Sequence, residues 1–119
     1  SGKLCPSGWH VPSITEWDEL VAFSGGQSIA GGKLKEAGTA HWLSPNTSAD
    51  NAYGFTALPG GYLLSSKGYG NLQQTGFFWS STQYSSANAN YLWMEYNLAA
   101  TAKASTPKYA GMSVRCVRD

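Results

Sequence analysis

"YLWMEYNLAA", residues Tyr91–Ala100, alternates between two kinds of side chain. Leu92, Met94, Tyr96 and Leu98 fall on one side of an extended chain, and Tyr91, Trp93, Glu95 and Asn97 fall on the other. A period of two predicts a strand from Tyr91 to Leu98 with the first set against a core. The second set is not an ordinary solvated face, because two aromatic rings stand beside a carboxylate and an amide. Such a face touches something.

Working outward, the chain stays β in character. Thr101, Lys103 and Ser105 alternate with Ala100, Ala102 and Ala104, which predicts a second extended segment. "GMSVRCV" predicts a final strand with Met112, Val114 and Cys116 inward and Ser113, Arg115 and Val117 on the other side. Upstream, Phe77-Phe78-Trp79 is an apolar run that leads into Ser80-Ser81-Thr82. No base and orienting group accompany those hydroxyls, so a strand edge is expected there rather than a nucleophile. Further back, Phe55, Ala57, Leu58, Tyr62 and Leu63 read as strand ends around a Pro59-Gly60-Gly61 turn.

One helix is legible. Ser13 stands three residues before Glu16, the capping-box spacing, and Pro12 holds the incoming chain extended. Trp17, Leu20, Val21 and Ala22 or Phe23 then recur at helical spacing and are expected to face the core, until Gly25-Gly26 stops the helix. Glu16, Asp18 and Glu19 crowd its first turns, where the helix dipole favours negative charge. From Ala30 to Phe55 the sequence reads as a short extended piece and then a long irregular loop.

In that loop His41 sits beside Trp42 with no second histidine nearby, the pattern of a packed, hydrogen-bonded residue. Asn46, Asp50 and Asn51 stand among Ser, Thr and Pro, where their side chains cap turns. Oxygen-rich loops of this kind also hold calcium, and a structural calcium is the alternative reading; no other cofactor is expected. Asn46-Thr47-Ser48 fits the glycosylation sequon.

Composition excludes several function classes. The 119 residues suit a single domain, 1–119. A net charge of +1 with 13% charged residues leaves no basic field to grip phosphates, so nucleic acid is not an expected partner. No run approaches the length of apolar sequence that spans a membrane, so no insertion by this domain is expected. Five Trp, seven Tyr and fourteen Gly describe an aromatic, loop-rich globule. The chain opens on Ser1-Gly2-Lys3 without Met, so it reads as a domain cut from a longer protein, and the lack of a leader carries no information.

The two cysteines, Cys5 and Cys116, lie near opposite ends. One reading is a disulfide that ties the ends together and implies an oxidising compartment; the other is two buried thiols. The disulfide is the expectation. Neither cysteine shows metal-ligand spacing.

"CPSGWHVPS" followed by "EW", "GGKLKE", "HW", "GFTALPGGY", "FWSST" and the ending "GMSVRCVRD" resemble, in order, the Fibrobacter succinogenes major paralogous domain. The resemblance spans Leu4 to Asp119. "GWHVPSITEW" and "GMSVR" are also similar to the sulfatase-modifying, formylglycine-generating superfamily. It implies an α+β, C-type-lectin-like fold: one or two helices, a small twisted antiparallel sheet, long loops and adjacent termini. The ending further resembles the variable proteins of diversity-generating retroelements, in which adenine-directed mutagenesis rewrites a ligand-facing surface. Between Gln83 and Tyr109 the chain is dominated by Ser, Ala, Asn, Tyr and Thr, residue types reached from mutated Asn codons.

These observations lead to one functional expectation. Tyr91, Trp93, Glu95 and Asn97, with Tyr84, Asn88, Asn90, Lys103 and Tyr109 near them, form a binding face for a protein or glycan ligand on a cell or particle surface. The resemblance implies an extracellular location, on a bacterial cell or a phage particle. A surface spacer or adhesin module without a specific ligand is the alternative. No catalytic residues are expected, because formylglycine-generating chemistry uses cysteines of its own and both cysteines here suit a terminal clamp.

Overall fold

The structure is a computed structural model that describes residues 4–64, 66 and 68–119. Its centre is an antiparallel sheet of three strands, β4 (Thr75–Gln83), β5 (Asn88–Glu95) and β6 (Thr101–Pro107), with β5 in the middle. Two helices, α1 (Ile14–Phe23) and α2 (Gln27–Leu34), precede it in the chain. Two small antiparallel ribbons complete the fold: β1 (Trp9–His10) with β7 (Val117–Arg118), and β2 (Tyr62–Leu64) with β3 (Gly68–Gly70). The fold is therefore α+β with small antiparallel sheets, as expected. The two ends of the described chain do meet, in a ribbon of their own rather than in the main sheet.

Cys5 and Cys116 are bonded to each other beside that ribbon. Among the described residues no helix is long and apolar enough to cross a membrane.

α1 begins as its sequence requires. The Ser13 hydroxyl accepts from the Glu16 N–H, and the Glu16 carboxylate accepts in return from the Ser13 N–H. Trp17 is the one fully buried residue of this helix, and its indole N–H donates to the Trp79 carbonyl at 3.3 Å. Ala22 and Phe23 do not face the core: Phe23 is exposed and packs at the surface against Tyr53, 5.0 Å between ring centres. At 3.6 residues per turn, Phe23 lies roughly 120° round the helix from Trp17 and so leaves the stripe that faces the sheet.

α2 overturns the extended reading of its segment. Its propensity is poor, since it carries Gly31 and Gly32, but tertiary packing requires them. A Cβ at Gly31 would collide with the backbone of Ala99 and Ala100, and one at Gly32 with that of Ser48. Close approach of two chain segments to the helix outweighs the cost of glycine within it.

The core lies between the helices and one face of the sheet, formed by Trp17, Leu34, Trp42, Phe78, Leu92 and Met94. Leu92 and Met94 are wholly buried, as the alternation predicts, and Tyr96 packs at the margin. The strand nevertheless ends at Glu95, short of the expected Leu98. Lys35, wholly buried, donates to the carbonyls of Glu95 and Leu98, which bends the chain into a turn and leaves Leu98 and Asn97 exposed. Two further expectations fail in detail. Residues 55–58 form no strand: Ala57 makes an isolated bridge to Lys35, just past the end of α2. In "GMSVRCV" Val114 is exposed instead of inward, because Arg115 lies over the Phe55 ring and donates to the Phe55 carbonyl at 2.6 Å.

The loop residues serve the fold. Asn46 is buried and its amide donates to the carbonyls of Glu36 and Gly38, so the sequon asparagine is engaged within the folded domain. Asp50 is paired with Lys33 and accepts from the Ala52 N–H, while Asn51 bonds Thr56. His41 is exposed and bonded to Glu36. Ser80 donates to the Asn90 carbonyl and Thr82 accepts from the Ile14 N–H, so these strand-edge hydroxyls are satisfied.

Candidate functional site

Register decides what shares the second face of the sheet. On β5, Tyr91 lies opposite Trp79 of β4 and Ala104 of β6, and Trp93 lies opposite Phe77 and Ala102. Directly opposed residues point the same way, so one face carries four aromatic side chains flanked on the β6 side by alanines. The Tyr91 ring stands edge-on to Phe77 at 5.6 Å and to Trp79 at 6.4 Å. From the far side of β4, Tyr62 of β2 meets Phe77 at 5.7 Å. That contact depends on Gly70, the register partner of Tyr62, where a Cβ would fall 2.5 Å from the Tyr62 hydroxyl oxygen. The face therefore touches an aromatic cluster of its own chain, and the cluster is only partly covered.

Above it lies an open cavity of about 190 Å³. Tyr62, Phe77 and Tyr91 form its aromatic wall, and Leu64, Thr106, Ala110 and Met112 form the rest. Ala104 and Ala102, being small, leave β6 low beside it. Burial pushes the Tyr91 phenol above its ordinary value of 10.0, so at neutral pH it offers an uncharged hydroxyl that both donates and accepts. An aromatic wall with a few hydroxyls at its rim suits recognition better than chemistry.

The family profile of the Fibrobacter succinogenes major domain matches residues 1–118. The chain belongs to that family. No curated protein and no solved structure matches it.

In this Fibrobacter succinogenes major domain the expected site residues divide into groups. Tyr91 lines the cavity, and Trp93 and Glu95 follow it along the same face. Tyr84 and Tyr109 are both strongly exposed and sit at the hairpin end of the sheet, where Lys108 bonds Gln83 at 2.6 Å and its N–H reaches the Ala87 carbonyl. The others are not gathered. Lys103 lies opposite Leu92, on the helix side, and is paired with Asp18 of α1. Asn88 and Asn90 share the parity of Leu92 and so face away from Tyr91. Asn97 lies in the turn beyond the other end of β5.

Sequence reading missed Tyr62, Phe77, Thr106 and Met112 as members of the site. Phe77 and Trp79 were legible in principle, since they flank the core residue Phe78 with period two. Nothing local could bring Tyr62 to them, because it meets β4 through tertiary contact, at the Gly61–Gly76 bridge just before β2 and at the Tyr62–Phe77 ring pair. Among the described residues no three His, Cys, Asp or Glu side chains cluster as metal ligands.

Proposed function

We propose that this domain is a ligand-binding module that presents the Tyr91 face of its three-stranded sheet to a protein or glycan on a cell or particle surface. The observation that carries the reading is the open cavity walled by Tyr62, Phe77 and Tyr91. Partly covered aromatic clusters rimmed by hydroxyls are costly to leave in water and are effective anchors for a partner. Tyr84 and Tyr109 extend the same end of the molecule with rigid, exposed rings.

The C-type-lectin-like kinship, and a place among retroelement variable proteins, belong to the same reading. The Ser-, Asn- and Tyr-rich stretch Gln83–Tyr109 supports them, and flanking DNA tests them. A near-copy of the segment encoding Trp79–Asp119, differing at adenines and beside a reverse transcriptase gene, is the expected finding. The disulfide supports an extracellular or cell-surface location. It also speaks against oxidase chemistry, since both cysteines are consumed in it.

Glycan and protein arrays probed with the wild type, Tyr91→Ala and Tyr84→Ala test the binding reading. Specific signals that Tyr91→Ala abolishes are expected. Silence on every array, with the wild type folded by circular dichroism, favours a structural module instead.

A further inference from the structure

We propose that the Tyr91 cavity is one end of a longer groove whose ligand is an uncharged, linear sugar chain. The proposal rests on the binding reading above and names its ligand class. Three open cavities share walls. Tyr62 and Met112 line the Tyr91 cavity and also a second of about 240 Å³, which Leu63, Tyr69 and Ser113 help to close. Gly60 lines that second cavity and a third of about 300 Å³, bounded by Leu58, Leu72, Gln73 and His41. The junctions are kept low by glycine. A Cβ at Gly60 would fall 2.9 Å from the Ser113 hydroxyl, and one at Gly111 would fall 3.1 Å from Leu63 Cβ.

Charge narrows the occupant. The sequence holds 8 Lys and Arg and 7 Asp and Glu, yet none is among the described residues that line the three cavities. A charged ligand would lose hydration there, and among the described residues no Lys, Arg, Asp or Glu lines the groove to replace it. The polar groups on offer are the hydroxyls of Tyr62, Tyr69, Tyr91, Thr106 and Ser113, the Gln73 amide, and the His41 imidazole, whose Nδ1 is already engaged with the Glu36 carboxylate. A pyranose has apolar C–H faces and hydroxyl edges, which match aromatic rings set among such groups. Tyr69 is 82% exposed, so its ring is open to stacking.

Backbone pairing argues against an extended peptide in the same groove. Strand addition needs free N–H and C=O groups. Here Leu63 and Gly111 exchange hydrogen bonds of 2.8 and 2.7 Å, and the Gly61 N–H donates to the Thr75 carbonyl. Tyr62 is paired with Gly70. The groove recognises through side chains.

The test is affinity electrophoresis and calorimetry against neutral glucan, xylan and mannan oligosaccharides, from monosaccharide to hexasaccharide. Polygalacturonate and an extended-peptide library run beside them. Affinity for one neutral series should rise with chain length and hold between low and high salt. Tyr69→Ala, at a side chain too exposed to matter for folding, should weaken the longest chain about tenfold, roughly 1.4 kcal/mol, and leave the monosaccharide unchanged. Failure of every neutral glycan to bind overturns the proposal, as does preference for the polyanion or for peptides. If a ligand is lost with Tyr91→Ala while Tyr69→Ala is silent and chain length has no effect, the long groove fails and the binding reading stands. If Tyr91→Ala is also silent on every bound probe, both fall.

Discussion

Lys35 donates a 2.8 Å hydrogen bond to the carbonyl of Glu95, the last residue of β5. The same ammonium reaches the carbonyls of Leu98 at 2.9 Å and Thr47 at 3.1 Å, and its residue is wholly buried. Trp42 covers it, with the ring centre 5.4 Å away. One side chain at the end of α2 thus gathers the helix, the loop before it reaches β2, and the turn between β5 and β6. It fixes where the strand that carries Tyr91 and Trp93 must stop.

Replacing Lys35 with Met keeps much of the volume and removes three donors. Buried acceptors left without partners each cost about 1–3 kcal/mol, partly relieved by relaxation. Lys35→Met should therefore lower unfolding free energy by roughly 3 kcal/mol at pH 7, measured by urea titration. A loss below about 0.5 kcal/mol, the scale of ordinary surface changes, would mean that the carbonyls find other partners.

The same residue sets a pH dependence. Burial pushes the Lys35 ammonium from 10.5 down to about 8. Between those values the unfolded chain holds a proton that the folded chain has released, so stability rises with pH across the window. At about 1.4 kcal/mol per unit the gain is at most about 3 kcal/mol. Subtracting the Lys35→Met titration removes the contribution of tyrosines that ionise nearby, and the difference should climb from about pH 8 to 10.5.

His10 gives a second, opposite signature. The protonated ring donates to Asp119 at 2.6 Å and to Glu16 at 2.8 Å, joining β1, the start of α1 and the end of the described chain. The Asp119 and then the Glu16 hydrogen bonds raise the imidazole above 6.5. The Ser13 N–H, followed by His10, holds the Glu16 carboxyl below 4.5. A raised histidine stabilises fully below its unfolded value and loses this as pH climbs through the folded one. The depressed carboxyl stabilises above its unfolded value and loses this as pH falls. Both are present together between about pH 4.5 and 6.5, where melting temperature should peak locally. His10→Gln should flatten the alkaline side of that peak.

The bond between Cys5 and Cys116 closes a loop of 111 residues. In the chain-entropy model such a loop contributes about 4–5 kcal/mol, with real bridges often giving less. Non-reducing mass spectrometry should return the cross-linked peptide. Reduction, or the paired Cys5→Ser and Cys116→Ser variant, should lower stability by roughly 2–5 kcal/mol, as for small secreted domains. The β1–β7 ribbon should fray first, seen as faster amide exchange at Trp9 and His10.

Local signals were legible and tertiary ones were not. The capping box at Ser13, the burial of Leu92 and Met94, and the pairing of the cysteines could be read because each depends on near neighbours or on a lone possible partner. α2 could not, since its glycines are explained only by the backbones of Ala99, Ala100 and Ser48 pressing against them. The candidate face was legible in part. Alternation put Tyr91 and Trp93 on one face; Asn88 and Asn90, expected near them, have the parity of Leu92 once β5 is extended back to Asn88, and register sends Lys103 to that same face. A sequence shows which residues alternate along one strand; only the pairing tells how the next strand is set against it.

That pairing gives the sharpest test of the two faces. Met94 is wholly buried among the core side chains, so Met94→Ala should cost about 2–5 kcal/mol of stability through the cavity it leaves. Its neighbour Trp93 points the other way, beside Phe77 and the small Ala102, and is only partly covered. Trp93→Ala should preserve a cooperative melt and weaken binding to whichever array ligand the wild type selects, by about 2 kcal/mol or more as for a hot spot. Thermal melts and calorimetry on the two variants separate the roles, because a core residue moves the first measurement and a surface anchor moves the second. If Trp93→Ala unfolded the domain while Met94→Ala left it intact, the register between β4 and β5 would be shifted by one residue, and the cavity walled by Phe77 and Tyr91 would not exist.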